Sequence, residues 1–451
     1  MIDFKGQKIS VIGAARSGLA SALILHELGA KPFLSEFGPI GKFADTVKAL
    51  DKKRIQYEFG GHSERVFDCK LLVTSPGVPA NSAILTKALQ KNIKVISELE
   101  LGYQLCAGKV LAVTGSNGKT TTTSLIGEIF NHSRIKGVVA GNIGMPLTGI
   151  VRSINPDDWA ILEVSTFQLE WIDKFKPDVA IVLNITPDHL DRHGSMENYI
   201  ALKLKVFANQ NGADKAVLNA DDRYLSAFRP VSRTFAFSSS HAVENGCFIE
   251  NGKLYLSERG SRQAIIDVSE IKIKGPHNMA NACAAAACCA AAGIDNNSIA
   301  AGLKSFAGVE HRLEDAGLIG GVSFINDSKA TNVDAVFWAL QSVSPPVVLI
   351  AGGRDKNGDF STLIELVKAK VTNLVLIGEA ADKIESVFKN ITPIIRAGSL
   401  EEAIRRGYEK AKPKGVVLLS PACASYDMFD NYEHRGKVFK QAVNMLKEEL
   451  G

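Results

Sequence analysis

The residue types in Gly115-Ser116-Asn117-Gly118-Lys119-Thr120-Thr121 suit a polyphosphate. The glycines admit a tight backbone in which successive N–H groups converge on phosphate oxygens. A lysine at Lys119 can reach the terminal phosphates, and the Thr120 hydroxyl can ligate Mg²⁺. The spacing is unusual. A general phosphate loop has four residues between its glycines, whereas here only Ser116 and Asn117 intervene. A bare Gly-Lys-Thr is often a solvated turn, but this one has a context. Residues 110–114 are apolar and β-branched, and helix-compatible residues follow towards Phe130, so strand, loop and helix come in the order that phosphate binding requires.

Further along, two apolar runs end in metal-binding types. Residues 159–164 lead into Glu163-Val164-Ser165-Thr166, and residues 178–185 lead into Asp188-His189. A lone Glu or His after a strand is usually a loop residue. Two such loops downstream of a phosphate loop in one sheet point to a Mg²⁺ site. Lys203, on helical spacing through residues 199–207, reads by itself as a surface lysine. Towards the carboxyl end, Asp327-Ser328-Lys329-Ala330-Thr331-Asn332 and Gly352-Gly353-Arg354-Asp355-Lys356 follow apolar runs, and a third loop carries Cys423 and Ser425. Small residues beside lysines in several loops of one sheet suggest a second anion-facing surface. No base is identifiable for a Cys423 nucleophile, and a small buried thiol is the plainer reading.

The elements that must hold these residues form an alternating α/β pattern. With 451 residues, 46% hydrophobic and 22% charged, the chain has the composition of a multi-domain globular protein. A net charge of +4 gives no reason to expect a nucleic-acid partner. Neither a signal-peptide core nor a membrane-spanning run is expected, and seven scattered cysteines without metal-ligand spacing read as reduced cytoplasmic thiols. Residues 8–13 form a strand that enters the turn Gly13-Ala14-Ala15-Arg16-Ser17-Gly18. This matches a dinucleotide fingerprint except for Ala15 at the middle glycine, and the acidic residue expected on the ribose is blurred into Ser35-Glu36. A Rossmann-like domain that binds a nucleotide diphosphate differently fits better. Residues 235–268 read as a small appended sheet. Asn278 and Asn281 stand three apart at a helix start, able to share a face or to act as caps. The expected architecture is α/β with three domains. A Rossmann-like domain spans residues 1–98. A central P-loop ATPase-like domain, with a parallel sheet plus a small β-sheet, spans 99–308. A C-terminal Rossmann-like domain spans 309–451.

Taken together, the motifs resemble the Mur ligases of peptidoglycan synthesis. The resemblance rests on Thr114 through Thr120, Gly141-Asn142-Ile143-Gly144, Glu163 through Glu170, and Asp188-His189-Leu190-Asp191-Arg192-His193-Gly194. It continues through Gly275-Pro276-His277-Asn278, Glu310-His311-Arg312, Asn326 through Asn332 and Ser420 through Ser425, in family order. Within the family they are most similar to the members that add D-glutamate. The resemblance implies ATP and Mg²⁺ as cofactors, UDP-N-acetylmuramoyl-L-alanine and D-glutamate as partners, a monomer, and an acyl-phosphate intermediate. It implies Glu163, His189 and a carbamylated Lys203 as metal ligands with Thr120, and Asn278, Asn281, Arg312 and Asp327 on the nucleotide. Lys329, Thr331, Lys356, Ser425 and Tyr432 would form the amino-acid side, with Asp327 beside them. Arg16, Ser17, Ser75 and Asn142 would hold the UDP-sugar. Two positions depart from the pattern: Ser35 replaces an acidic residue near the uracil, and Tyr432 replaces a phenylalanine. Competing readings are a family member adding another amino acid, a P-loop motor or switch ATPase, and a non-catalytic UDP-sugar binder.

Overall fold

The computed structural model describes residues 4–188 and 190–450, with the backbone alone for Leu190 and Asp191. Three sheets follow one another along the chain. The first is wholly parallel and contains β1 (Lys8–Ile12), β2 (Lys31–Glu36), β3 (Gln56–Phe59), β4 (Leu71–Thr74) and β5 (Lys94–Ser97). Its order, β3-β2-β1-β4-β5, reverses between β1 and β4. The crevice outside the carboxyl ends of those two strands is where such sheets take their ligands.

The second sheet is built around β6 (Lys109–Thr114), which lies between β8 (Trp159–Glu163) and β9 (Val179–Val182), with β7 (Gly137–Gly141) outside β8. All four are parallel. From Val110 to Thr114 every residue of β6 is buried, which is why the strand reads as an uninterrupted apolar run. Beyond β9 come β10 (Lys215–Asn219), β11 (Arg233–Ser238), β12 (Gly246–Glu250), β13 (Lys253–Glu258) and β14 (Ser261–Asp267). The segments expected as a small appended sheet are therefore the outer part of the central sheet. β11 pairs parallel with β10, and only β12-β13-β14 turn antiparallel.

The third sheet has the order β15-β16-β20-β17-β18-β19, comprising β15 (Glu314–Ile319), β16 (Val322–Asn326), β17 (Val347–Gly352), β18 (Val371–Ile377), β19 (Ile394–Arg396) and β20 (Val416–Leu419). All pairs are parallel except β15 with β16. The carboxyl ends of the neighbours β16, β20 and β17 carry the three loops singled out in the sequence.

These sheets are packed as two compact units. One comprises Met1–Ile185, Arg192–Ile271 and Ala280–Ser305, and the other Thr186–Asp191, Lys272–Met279 and Phe306–Gly451. The first two sheets share one unit because the passage between them is buried. In the helix Glu98–Leu105, Glu98 and Glu100 are almost fully shielded from solvent. Glu98 accepts from the Thr148 N–H and hydroxyl, and Glu100 from the amides of Asp173, Lys174 and Phe175. No helix among the described residues is long and apolar enough to cross a membrane.

Candidate functional site

The phosphate loop leaves β6 at Gly115 (φ +151°) and enters the helix Lys119–Asn131 through Gly118 (φ +82°). A Cβ on Gly118 would lie 2.3 Å from Asn281 Oδ1, so a side chain here would have to displace the Asn281 amide as well as adopt a left-handed backbone. The Ser116 N–H donates to the Asn184 carbonyl (3.0 Å) and the Asn117 N–H to Asn184 Oδ1 (2.9 Å). Those two amides brace the loop against the end of β9. Two of the N–H groups expected in the cradle are thereby committed to Asn184. Ser116 Oγ meets the Tyr199 hydroxyl at 2.9 Å. Lys119 Nζ donates to the carbonyls of Gly115 and Ser116, each at 2.8 Å, so the ammonium is folded over the loop itself. Thr120 and Thr121 are buried in the first helical turn. Asn281 Oδ1 accepts from the Thr122 hydroxyl (3.3 Å), which places Asn281 behind the loop.

Glu163, 2% exposed, ends β8. Its Oε1 accepts from Asn142 Nδ2 at 2.8 Å, while Oε2 is buried with no hydrogen-bond partner. Asn142, expected on the UDP-sugar, has its amide N–H on this carboxylate, because the ends of β7 and β8 are adjacent. An orphaned buried carboxylate oxygen at the end of a strand paired with β6, the strand that leads into the phosphate loop, is a donor suited to a hard cation such as Mg²⁺. His189 lies outside the described residues. Lys203 belongs to the helix Met196–Leu204 and is only 2% exposed, with Nζ 4.4 Å from the centre of the Tyr199 ring. The surface reading of Lys203 is thus corrected: helical spacing alone did not show which face is covered. Arg192 joins two loops that sequence reasoning left apart. It pairs with Glu170 (2.9 Å), donates to the carbonyls of Pro76 and Val78, and lies 3.9 Å over the Phe167 ring.

In the first sheet, Gly13 (φ +98°) and Gly18 permit a close approach: a Cβ on Gly13 would lie 2.7 Å from Ser75 Oγ. The Ser75 hydroxyl is buried without a partner at the β1/β4 crevice. Arg16 reaches the Gly144 carbonyl (3.0 Å), and the Ser17 carbonyl accepts from Ser21. Glu36 does not wait for a ribose; its carboxylate accepts from the N–H groups of Ala14 (2.8 Å) and Gly38 (2.7 Å). Ser35 is fully buried, with its hydroxyl 2.7 Å from both Glu58 Oε1 and His62 Nδ1.

In the other unit, Asp327 follows β16. Its carboxylate accepts from the Ser420 hydroxyl (2.8 Å) and the Leu313 N–H (3.3 Å). Burial pushes its carboxyl up to about 7, against the lowering effect of Ser420 and the nearby Arg312 charge. Arg312 Nε is buried without a partner. Burial, and then the Arg312 charge, holds His277 down to about 4, so that ring is neutral at physiological pH. Asn278 Nδ2 donates to the Lys274 carbonyl at 2.9 Å. The Lys329 N–H donates to the His311 carbonyl, the Thr331 N–H to the Lys329 carbonyl, and Lys329 Nζ lies 5.2 Å from the Tyr432 ring centre. Arg354 and Ala424 exchange backbone hydrogen bonds of 2.9 Å, tying the Lys356 loop to the Ser425 loop. Lys356 is half-buried and its Nζ makes no hydrogen bond or ion pair among the described residues. Ser425 is buried.

Arg435, which sequence reasoning passed over, fastens this surface. It is 1% exposed and donates to the Ser328 carbonyl (2.8 Å), the Ser328 hydroxyl (3.0 Å) and the Cys423 carbonyl (3.2 and 3.3 Å). Burial lowers its guanidinium to about 10, still charged at neutral pH. Cys423 is a buried thiol pushed up to about 12, as the plainer reading expects. Glu310, His311 and Glu314 also cluster, but Lys440 pairs with both carboxylates and Asn326 Nδ2 donates to Glu314, so the two carboxylates already have partners within the protein.

Known proteins share this arrangement along its length. Family models match at residues 8–84 (MurD N-terminal domain), 113–289 (Mur ligase middle domain) and 311–423 (Mur ligase, glutamate ligase domain). The UDP-N-acetylmuramoylalanine–D-glutamate ligase of Acidobacterium capsulatum is 43% identical over 447 residues, covering 98% of this chain and 97% of that one. The chain belongs to the Mur ligase family. The ligase of the same name from a Thermoanaerobacter species is 42% identical over 99% of this chain and all of the other. Among solved Mur ligase structures, the UDP-N-acetylmuramate–alanine ligase of Thermotoga maritima superposes with a TM-score of 0.62 at 20% identity, covering 98% of this chain and 100% of that chain. A pseudomurein peptide ligase from Methanothermus fervidus gives 0.64 at 20% identity over the same shares. At that identity the likeness shows the fold, with its three Mur ligase domains.

Proposed function

We propose that this chain joins D-glutamate to UDP-N-acetylmuramoyl-L-alanine at the expense of ATP, in peptidoglycan precursor synthesis. The observation that carries this reading is the full-length identity with ligases of that name. The lysine-bearing loops of β6, β16 and β17 support it. In water a carboxylate does not condense with an amine, because oxide is a poor leaving group. The substrate carboxylate oxygen therefore attacks the γ-phosphorus of ATP, the bond to the β-phosphate oxygen breaks, and ADP leaves. The D-glutamate amine then attacks the acyl carbon, phosphate departs with the bonding pair, and the ammonium proton is lost to solvent.

The chain's own residues meet these demands by binding and orienting anions. Lys119 would exchange its two loop carbonyls for phosphate oxygens. Thr120, Glu163, His189 and a carbamylated Lys203 would hold Mg²⁺, which when bound would offset the charge that gathers on the transferring phosphoryl group. Asn142 orients the Glu163 carboxylate. Lys329, Lys356, Thr331 and Ser425 would receive the two carboxylates of D-glutamate, with Tyr432 beside Lys329. Arg16, Ser17 and the unpartnered Ser75 hydroxyl would face the UDP moiety, and Asn278, Asn281, Arg312 and Asp327 the nucleotide of ATP. We assign the three functions to residues 1–98, 99–308 and 309–451, and place a monomer in the cytoplasm, where seven free cysteines are at home.

Phosphate release from ATP with UDP-N-acetylmuramoyl-L-alanine tests the reading: D-glutamate should support it, and L-glutamate, L-alanine and diamino acids should not. Release with another amino acid in preference would overturn the substrate assignment. Lys203→Ala should lose on the order of a hundredfold or more in kcat, and a short carboxylic acid filling the gap should restore part of it. Full activity of unmodified Lys203 in CO₂-depleted buffer would remove the carbamate.

A further inference from the structure

At the amino ends of β1, β2 and β3, the end of the first sheet opposite the glycine turn, a cavity of about 440 Å³ opens. Its size falls in the lower part of the range for small-molecule sites. Ile9, Ala30 and Ile55, all nearly fully buried, line it together with Pro32 and the half-buried Phe33. Its charged lining is one-sided: Lys8, Lys31, Arg54 and Arg65 face a single carboxylate, Asp68. That carboxylate already pairs with Lys8. Three permanent cations remain around an apolar wall, in a chain whose overall charge is small for its length.

The plain explanation for basic residues here is that two helices, Arg16–Glu27 and Ala44–Lys53, end on this side, and cations suit the carbonyl ends of helices. It accounts for His26, in the last turn of one, and Arg54, the C-cap of the other. It does not account for Lys31, the first residue of β2, or for Arg65 in the turn Glu64–Phe67. Arg65 is held in place: its guanidinium lies 4.5 Å from the Phe33 ring centre, and Nη2 donates to Gln56 Oε1 at 2.7 Å. A guanidinium fixed over an aromatic ring keeps N–H groups for a phosphate while losing little further freedom on binding. Lys31 and Arg54 are exposed and form no side-chain hydrogen bond or ion pair among the described residues.

We propose that this cavity binds a small amphiphilic anion, a monophosphate ester of a flat apolar group, with the phosphate among Lys31, Arg54 and Arg65 and the apolar part against Phe33, Pro32 and Ile55. The ligand class follows from the pairing of the two surfaces. A bare anion would leave the apolar wall uncovered, and an uncharged hydrocarbon would leave three cations without counter-charge.

The test is calorimetric titration of the whole chain with 1-naphthyl phosphate, after ADP and UDP-N-acetylmuramoyl-L-alanine have been added in excess to occupy the sites assigned above. Saturable binding of one probe per chain is expected, weakening as salt is raised. In Lys31→Glu/Arg54→Glu the affinity should fall by about tenfold or more, with turnover in the absence of probe unchanged. Both side chains are exposed and the charge reversal at the helix end has only a small cost, so the variant should still fold and melt within a few degrees of the wild type. Inorganic phosphate should bind far more weakly than the ester. Absence of saturable binding overturns the proposal, as does equal affinity in the charge-reversed chain. Loss of probe binding in Lys119→Ala with none in Lys31→Glu/Arg54→Glu would place the probe in the phosphate loop instead. Equal binding of inorganic phosphate would remove the apolar half of the site. Binding is read without turnover, so a different ligase specificity leaves this result standing.

Discussion

The phosphate loop and the lysine loops of the third sheet use the same residue type at the same kind of place, the carboxyl end of a parallel strand. They hold it in opposite ways. Lys119 is anchored by carbonyls three and four residues before it, although its loop is braced by Asn184 and Tyr199, 67 and 83 positions beyond the residues they hold. Lys329 and Lys356 belong to loops fastened from afar: Arg435, more than a hundred positions beyond Ser328, grips that residue twice and Cys423 as well. Local anchoring of the side chain lets the loop by itself set where the ammonium lies. Remote anchoring makes a site as good as the helix that supplies the anchor.

Four measurements would break or sharpen that contrast. The largest effect is expected from Lys119→Ala, which should reduce kcat on the order of a thousandfold while thermal melting hardly moves, because a loop lysine is removed and the core is untouched. Normal turnover in the folded variant would detach the loop from the chemistry. Arg435→Ala should act the other way round. It leaves buried oxygens of Ser328 and Cys423 without donors, at roughly 1–3 kcal/mol for each unsatisfied group, so urea unfolding should show a large loss of stability. Arg435→Lys should recover part of the stability but not the KM for D-glutamate, since an ammonium cannot reproduce the planar fork. A variant as stable as wild type would mean that the loops stand by themselves.

Third comes Lys356→Ala, with an expected tenfold or greater rise in KM for D-glutamate, since a charge-assisted bond contributes about 1.5–3 kcal/mol. The KM for the UDP-substrate should hardly change; the reverse pattern would undo the division of labour proposed for the three segments. The fourth measurement concerns pH. Burial raises the Asp327 carboxyl to about 7, so the folded chain keeps a proton that the unfolded chain releases above its ordinary value near 3.8. Folding then takes up a proton between those limits, and stability from this group falls by about 1.4 kcal/mol per pH unit as pH rises through the window. Above about 7 both states are ionised and the decline from this group ends. Asp327→Asn should flatten that slope in denaturant unfolding followed across the window; an unchanged slope would mean that the carboxylate is ionised in the folded chain throughout.

What the sequence made legible follows the same division. The phosphate loop could be read because its determinants lie within a dozen residues: apolar strand, two glycines, Lys119 and the helix. Glu163 and the loops after β16, β17 and β20 were legible as strand ends. Arg435 was not, because a polar residue in the amphipathic helix Tyr432–Leu450 gives no sign that its face is buried. Lys203 was misjudged from its own helix for the same reason. Glu36 stood where a ribose ligand is expected, but its carboxylate turns back onto Ala14 and Gly38. The strands β3, β7, β15 and β19 went unread, being short or largely half-exposed and so without a strong apolar pattern. A shift from parallel to antiparallel pairing within one sheet leaves no mark in composition, which is why β11 to β14 looked like a separate sheet.

That continuity has a consequence for anyone shortening the protein. β10 has a buried Ala216-Val217-Leu218 centre and pairs with β9 on one side and β11 on the other. Excising residues 233–267 as a dispensable module would bare a row of backbone N–H and C=O groups beside that apolar strand. Such an edge is a template for another chain to add itself, strand upon strand. The trimmed protein should precipitate in a concentration-dependent way. An insertion at the exposed Asn251-Gly252 turn, which leaves the ladder closed, should remain in solution.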